Sequence, residues 1–212
     1  MSIAEKIIIV GFSGFGKEVL FLAKRLGVEV QGFLDDSLSV QGEKFAGASV
    51  LGCVTQWQEY SDCKFVIAIG NPAVREKIYN DMLTYGNIYC AYSPRTDNAA
   101  LTYLDQFRQY NCCGVNERRK TRYANRKHVI INLNCTIGHD SKVGDFATIA
   151  PMVAVSGNVN VGRSVEIGTS ASVRQGLSIG NGAMLGMGSV LTKDMPENVV
   201  FFGSPAKCIR KI

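Results

Sequence analysis

Histidine is almost missing from this chain: His128 and His139 are the only two in 212 residues. The seven cysteines (Cys53, Cys63, Cys90, Cys112, Cys113, Cys135 and Cys208) are odd in number and scattered, with no C-x-x-C pair. That pattern suggests neither a zinc site nor a disulfide framework and reads as reduced structural thiols, so no metal is expected. A Gly-x-Ser-x-Gly elbow and a catalytic carboxylate pair are also lacking, which disfavours covalent mechanisms. Long apolar runs are absent from the amino terminus, where Ile7 to Val10 follows Glu5 and is too short for a signal-peptide core or a membrane span. The expected location is the cytoplasm, without membrane insertion.

Net charge of one sign is nearly absent outside a single stretch. Residues 93–128 hold eight Lys or Arg and three acids, which accounts for the whole formal charge of +5. Runs of this kind are mostly solvated, and no nucleic-acid module surrounds this one, so a nucleic-acid partner is not expected.

What the chain does have is an unbroken register. Ile131, Ile137, Val143, Ile149, Val155, Val161, Ile167, Val173, Ile179, Leu185 and Leu191 stand six apart. The second place of each hexad is usually glycine (Gly138, Gly144, Gly162, Gly168, Gly180, Gly186), and the fifth is small or aliphatic. A period of six fits no helical face, and sandwich strands do not hold a fixed spacing over so long a stretch. It fits a triangular parallel β coil in which each hexad makes one side and three complete a turn, with aliphatic columns inside and glycine at the corners. The tail from Thr192 breaks the pattern, and Lys207, Arg210 and Lys211 bring cations to its end.

Residues 1–90 alternate strand and helix signals instead. Strands are expected at Lys6 to Val10, Val28 to Leu34 and Phe65 to Ile69, with helices at Lys17 to Leu26 and Ala73 to Leu83, as in a small parallel sheet with covering helices. Between the first strand and helix stands Gly11-Phe-Ser-Gly-Phe-Gly16, and the second strand ends in Asp35-Asp36. Backbone amides of such a turn can face a phosphate, with an acidic residue on a ribose or base. The glycines alone do not choose between a dinucleotide cofactor, a nucleotide-linked substrate and a plain tight turn.

Among the hexads, His139 takes the third, outward place of Ile137-Gly-His-Asp-Ser-Lys, next to Asp140. An imidazole there suits a general base whose tautomer the carboxylate holds; the alternative is a solvated corner histidine. His128 lies in the irregular basic stretch with no motif around it.

Taken together, Gly11-Phe-Ser-Gly-Phe-Gly16, Phe33-Leu-Asp-Asp36, Ile67-Ala-Ile-Gly-Asn71 with Arg75, Ile131-Asn132, Gly138-His-Asp140, the hexads and Gly203-Ser-Pro-Ala-Lys207 resemble one family. It is that of the bacterial sugar acetyltransferases, the group of sialic-acid O-acetyltransferases and nucleotide-aminosugar N-acetyltransferases. The resemblance covers residues 1–90 and 131–212. It implies a Rossmann-like nucleotide-sugar-binding domain over 1–92, then a left-handed parallel β-helix over 93–212, assembled as a homotrimer with shared active sites and acetyl-CoA between neighbours. It also implies His139 as general base assisted by Asp140, with Asn132 near the sugar. Gly11, Ser13, Gly14 and Gly16 would face the pyrophosphate, Asp35 and Asp36 the base or ribose, and Gly70, Asn71 and Arg75 would belong to the same substrate site. Gly157 would hold the thioester carbonyl through its N–H, while Thr169, Gly188 and Lys207 would line the CoA groove.

Phe15 and Thr148 replace histidines common in the family, and residues 93–130, where its first coils fall, lack the hexad. The expected activity is N-acetylation of a nucleotide-linked 4-amino-4,6-dideoxy sugar in surface glycan synthesis. The alternatives are O-acetylation of a sugar such as sialic acid, a trimeric nucleotide-sugar-binding protein impaired in catalysis, and a dinucleotide-dependent enzyme.

Overall fold

The computed structural model describes residues 6–83, 88–90 and 127–212. The irregular stretch 93–130 lies outside them up to residue 126. The described residues form two compact units, one of 6–70, 77–83 and 88–90, the other of 71–76 and 127–212.

In the first unit, β1 (Lys6–Val10) leads into α1 (Gly14–Arg25), β2 (Glu29–Leu34), β3 (Lys44–Phe45), β4 (Ala48–Gly52) and β5 (Lys64–Ile67). Helix α2 (Pro72–Met82) follows, then β6 (Ile88–Cys90). The sheet order is β3-β4-β2-β1-β5-β6, parallel throughout except for the β3–β4 hairpin. Lys-Ile-Ile-Ile-Val and Lys-Phe-Val-Ile are continuous apolar runs because both faces of a central parallel strand are covered. Ile8, Val10, Leu34, Phe65 and Ile67 are accordingly buried in one core.

The hairpin and β6 were not expected from the sequence. Ala46 (φ 47°) and Gly47 (φ 86°) turn β3 into β4, and Ala-Gly lacks the Asn-Gly or Asp-Gly signature of a turn with two positive φ angles.

The second unit is the coil. Thr148 pairs with Ile130, Val155 with Ile137 and Val161 with Val143, always in parallel and eighteen residues apart, so three hexads make each turn. Cys135, Ala147, Ile149, Val159, Ile167, Ala171 and Leu185 are fully buried in its centre. Fully burying an aliphatic side chain of Val or Leu size contributes about 1.5–3 kcal/mol, so the stacked columns are the main source of its stability.

Three details correct the hexad reading. The second-place glycines do not take the left-handed turn; none of Gly138, Gly144, Gly162 or Gly168 has a positive φ. They are small because coils stack closely: a Cβ on Gly144 would stand 2.5 Å from the Gly162 carbonyl carbon. The turn falls to the fourth place, occupied by Asn134, Asp140, Phe146, Met152, Asn158, Ser164 and Ser170, all between φ 53° and 62°.

The coil also begins earlier than Ile131. His128 has φ 50° at the fourth place, and the Phe146 N–H donates to the Lys127 carbonyl as Met152 N–H does to Leu133. Nor does the coil stop at Thr192: Met195 bridges Ile179, and Val199–Phe202 pairs in parallel beside Met184–Leu185, now at a spacing of sixteen. The chain then reverses, and Lys207–Lys211 lies antiparallel along Val199–Phe202, exposed over its whole length.

Candidate functional site

Gly11 and Gly16 shape the loop at the amino end of α1. Gly11 takes φ 109°, and a Cβ on Gly16 would run into the Gly11 carbonyl oxygen. Ser13 occupies the N-cap position of α1 without using its hydroxyl as a cap, and Ser13 and Gly14 are both exposed. The first-turn amides of a helix carry positive partial charge that favours an anion. Asp35 ties this loop to the end of β2: its Oδ2 accepts from Phe12 N–H at 2.7 Å and its Oδ1 from Ser37 N–H at 2.9 Å. Asp36 accepts from Val54 N–H at 2.8 Å. Both carboxylates therefore brace loops of the domain, which the sequence reading did not anticipate. Gly70 is exposed, with open space where a side chain would stand. Asn71 accepts the Val74 N–H and so caps α2.

Arg75 has a different place from the one the family resemblance implies. It is fully buried, and its guanidinium donates to the carbonyls of His128, Phe146 and Ala147 and to the Thr148 hydroxyl at 2.9 Å. This corrects the expectation of a substrate contact: the side chain has no exposed surface for a ligand. It also accounts for Thr148, whose hydroxyl is an acceptor for that arginine. Next to it Glu76 pairs with Arg163 and Ser164. Burial pushes its carboxyl up, but those two hydrogen bonds and the charges of Arg163 and Arg75 outweigh burial and hold it below the ordinary value.

On the coil, three expected residues meet on one corner. His139 Nδ1 lies 3.0 Å from Asp140 Oδ2, and the two side chains are 57% and 42% exposed. That contact sets the tautomer with the proton on Nδ1 and leaves Nε2 as the basic nitrogen. Gly157 lies one coil further on, buried beneath the imidazole, and no acceptor among the described residues takes its N–H. Thr169 and Gly188 stack on another corner, joined by Gly188 N–H to the Thr169 carbonyl at 2.8 Å. Asn132 shares that second corner and accepts the Leu133 N–H. Lys207 is exposed in the terminal strand.

A groove of about 640 Å³ runs along the third corner and its adjoining side, past Lys142, Asp145, Asn160, Arg163, Asn181 and Glu197, and contains none of the expected site residues. Among the described residues, no cluster of three His, Cys, Asp or Glu could hold a metal, and no helix is long and apolar enough to cross a membrane.

An α/β unit followed by a left-handed parallel β-helix defines the class of fold. Residues 6–82 match the family model of the PglD N-terminal domain. Three solved structures extend the likeness along the chain. The acetyltransferase domain of PglB from Neisseria gonorrhoeae FA1090, in complex with acetyl coenzyme A, is 23% identical with a TM-score of 0.69, covering 97% of this chain and 99% of that one. WeeI from Acinetobacter baumannii AYE is 24% identical with a TM-score of 0.69, covering 97% and 100%. A histidine-to-asparagine mutant of perosamine N-acetyltransferase from Caulobacter crescentus, in complex with CoA and GDP-perosamine, is 19% identical with a TM-score of 0.65, covering 99% of both. No curated protein matches the chain.

Proposed function

We propose that this protein is an acetyl-CoA-dependent N-acetyltransferase acting on the amino group of a nucleotide-linked 4-amino-4,6-dideoxy sugar, in the synthesis of surface glycans. The observation that carries the reading is the His139–Asp140 pair on an exposed corner of a β-helix, with the Gly157 N–H beneath it. The neighbours of this fold support it: one was solved with acetyl coenzyme A, another with CoA and GDP-perosamine.

In this reading the first unit holds the nucleotide through the loop Gly11, Ser13, Gly14 and Gly16, with Asp35, Asp36 and Gly70 as the other contacts of that unit. The sugar amine attacks the thioester carbonyl, forming the nitrogen–carbon bond and a tetrahedral oxyanion, whose collapse then breaks the carbon–sulfur bond. His139 Nε2 takes the amine proton and passes it to the departing CoA sulfur, while Asp140 stabilises the imidazolium between the two transfers. The Gly157 N–H donates to the oxyanion, a preorganised dipole that needs no reorientation during reaction.

Thr169 and Gly188 line the pantetheine path, and Lys207 meets a CoA phosphate. Because these residues stand on a different corner from His139, a complete site needs two copies, and the assembly is a homotrimer. The second corner also exposes Leu133, Met152 and Met187, apolar surface of the kind an interface covers. Asn132, beside them, faces the sugar.

When purified protein is incubated with acetyl-CoA and a panel of UDP-, GDP- and TDP-linked 4-amino-4,6-dideoxy sugars, one of the sugars gains one acetyl group on its amine by mass spectrometry. His139→Ala lowers that turnover by about 10²–10⁴-fold. Turnover unchanged in this variant removes His139 as the base, and acetylation confined to a hydroxyl removes N-transfer.

A further inference from the structure

Gly157 is the one third-place glycine of the coil. The same place in the other hexads carries Leu133, His139, Asp145, Pro151, Arg163, Thr169, Gln175, Asn181 and Met187, so the position accepts side chains of every size. Its backbone does not require glycine either, since its φ is not positive. The demand is local. A Cβ built on Gly157 would stand 2.5 Å from His139 Nε2, 2.8 Å from Cε1 and 2.9 Å from Cδ2, all well inside van der Waals contact. The far edge of the imidazole therefore lies on the bare Cα of the next coil while Nδ1 faces Asp140 at 3.0 Å.

We propose that Gly157 is a positioning residue: it is the seat on which the imidazole of His139 rests, and any side chain there turns the basic nitrogen away from its working direction. This deepens the assignment of His139 as the base and rests on it, but it is separate from any hydrogen bond the Gly157 N–H makes. A ring held only by Asp140 could rotate about both of its side-chain torsions; contact with the backbone beneath removes that freedom. The ring is 57% exposed on its other sides, so a methyl group at 157 is relieved by swinging the imidazole into solvent, not by moving the coil. Gly157→Ala therefore folds normally and keeps its N–H, yet loses the base geometry. Misplacement of a catalytic group by about 1 Å costs on the order of 100-fold.

The test is Gly157→Ala, His139→Ala and the double variant, with acetyl-CoA and the sugar nucleotide turned over by the wild type. Kinetics are read alongside NMR of histidine-labelled protein. With only two histidines, the ring signals that His139→Ala deletes belong to His139. In Gly157→Ala those signals shift, kcat falls at least about tenfold with KM for acetyl-CoA within about threefold, and the melting temperature stays within a few degrees. The double variant is no slower than His139→Ala alone, because the seat acts only through the ring. Unmoved ring signals, a kcat within about threefold of wild type, or losses that multiply in the double variant each overturn the proposal. Should His139→Ala leave turnover intact, the base assignment falls by itself, and the ring signals of Gly157→Ala still decide whether the seat exists.

Discussion

Among the described residues, His128 is one whose protonation is strongly displaced. Burial, then the charges of Arg75 and Lys127, lower its pKa from 6.5 to about 3. Its ring stacks on Phe146 at 5.6 Å and 7°. Folded, the imidazole stays neutral down to about pH 3, whereas the unfolded chain binds a proton below about pH 6.5. Stability therefore falls as pH drops through that window, by up to ~1.4 kcal/mol per unit. Urea midpoints measured at pH 7, 5.5 and 4.5 should decline less steeply in His128→Asn, asparagine being tolerant of the left-handed φ at this corner. An equal slope in both proteins would show that another group governs the acid response. Of the two histidines, His139 was legible because it sits in an intact hexad beside an acid. His128 was not, because its partners are Phe146, one coil away, and Arg75, on another element, and no local spacing announces either.

At the scale of elements, two kinds of glycine are separable by substitution. Gly144→Ala brings a methyl group against the Gly162 and Arg163 backbone, where nothing can yield, and should cost about 1–3 kcal/mol. Gly176 has φ 78° and open space beyond it, so Gly176→Asn should cost no more than about 1 kcal/mol. Chemical denaturation of both variants checks the contrast, and equal losses would undo the distinction between stacking and turning. The first turn of α2 is held by a different device. Arg75→Met leaves three carbonyls and the Thr148 hydroxyl without this donor in a buried site, an expected loss of about 3–5 kcal/mol, with Thr148→Val losing about 1. Thermal melts of the two variants report it. The hexads and the strand–turn–helix start were readable because period and glycine placement are local properties. The early start at Lys127, the late end at Phe202 and the burial of Arg75 were not, because each depends on what the chain stacks against.

For the whole molecule, the assignment of complementary corners to different copies is open to a direct measurement. Sedimentation should give three times the chain mass of 23.1 kDa. Met187→Glu, a charge placed on the exposed second corner, should dissociate the assembly and abolish turnover while leaving the far-ultraviolet spectrum of the chain unchanged. A variant that remains trimeric and active would take Met187 out of the interface. The order of the two units was legible from the sequence, since one half alternates strand and helix and the other repeats every six residues. Which corners carry which site residues required the coil itself.

The constant step of eighteen between paired residues makes the coil a screw thread with three flats, and a thread can change length only by whole turns. Removing residues 160–177 joins Val159 to Ser178 and leaves every remaining residue facing the partner type it had before. Removing twelve rotates all later residues by one flat, and the corner carrying Thr169 and Gly188 no longer continues that of Asn132. The pairs Met195–Ile179 and Phe201–Leu185 run two residues short of the pitch. The thread runs out there, and the chain turns back on itself within the next few residues.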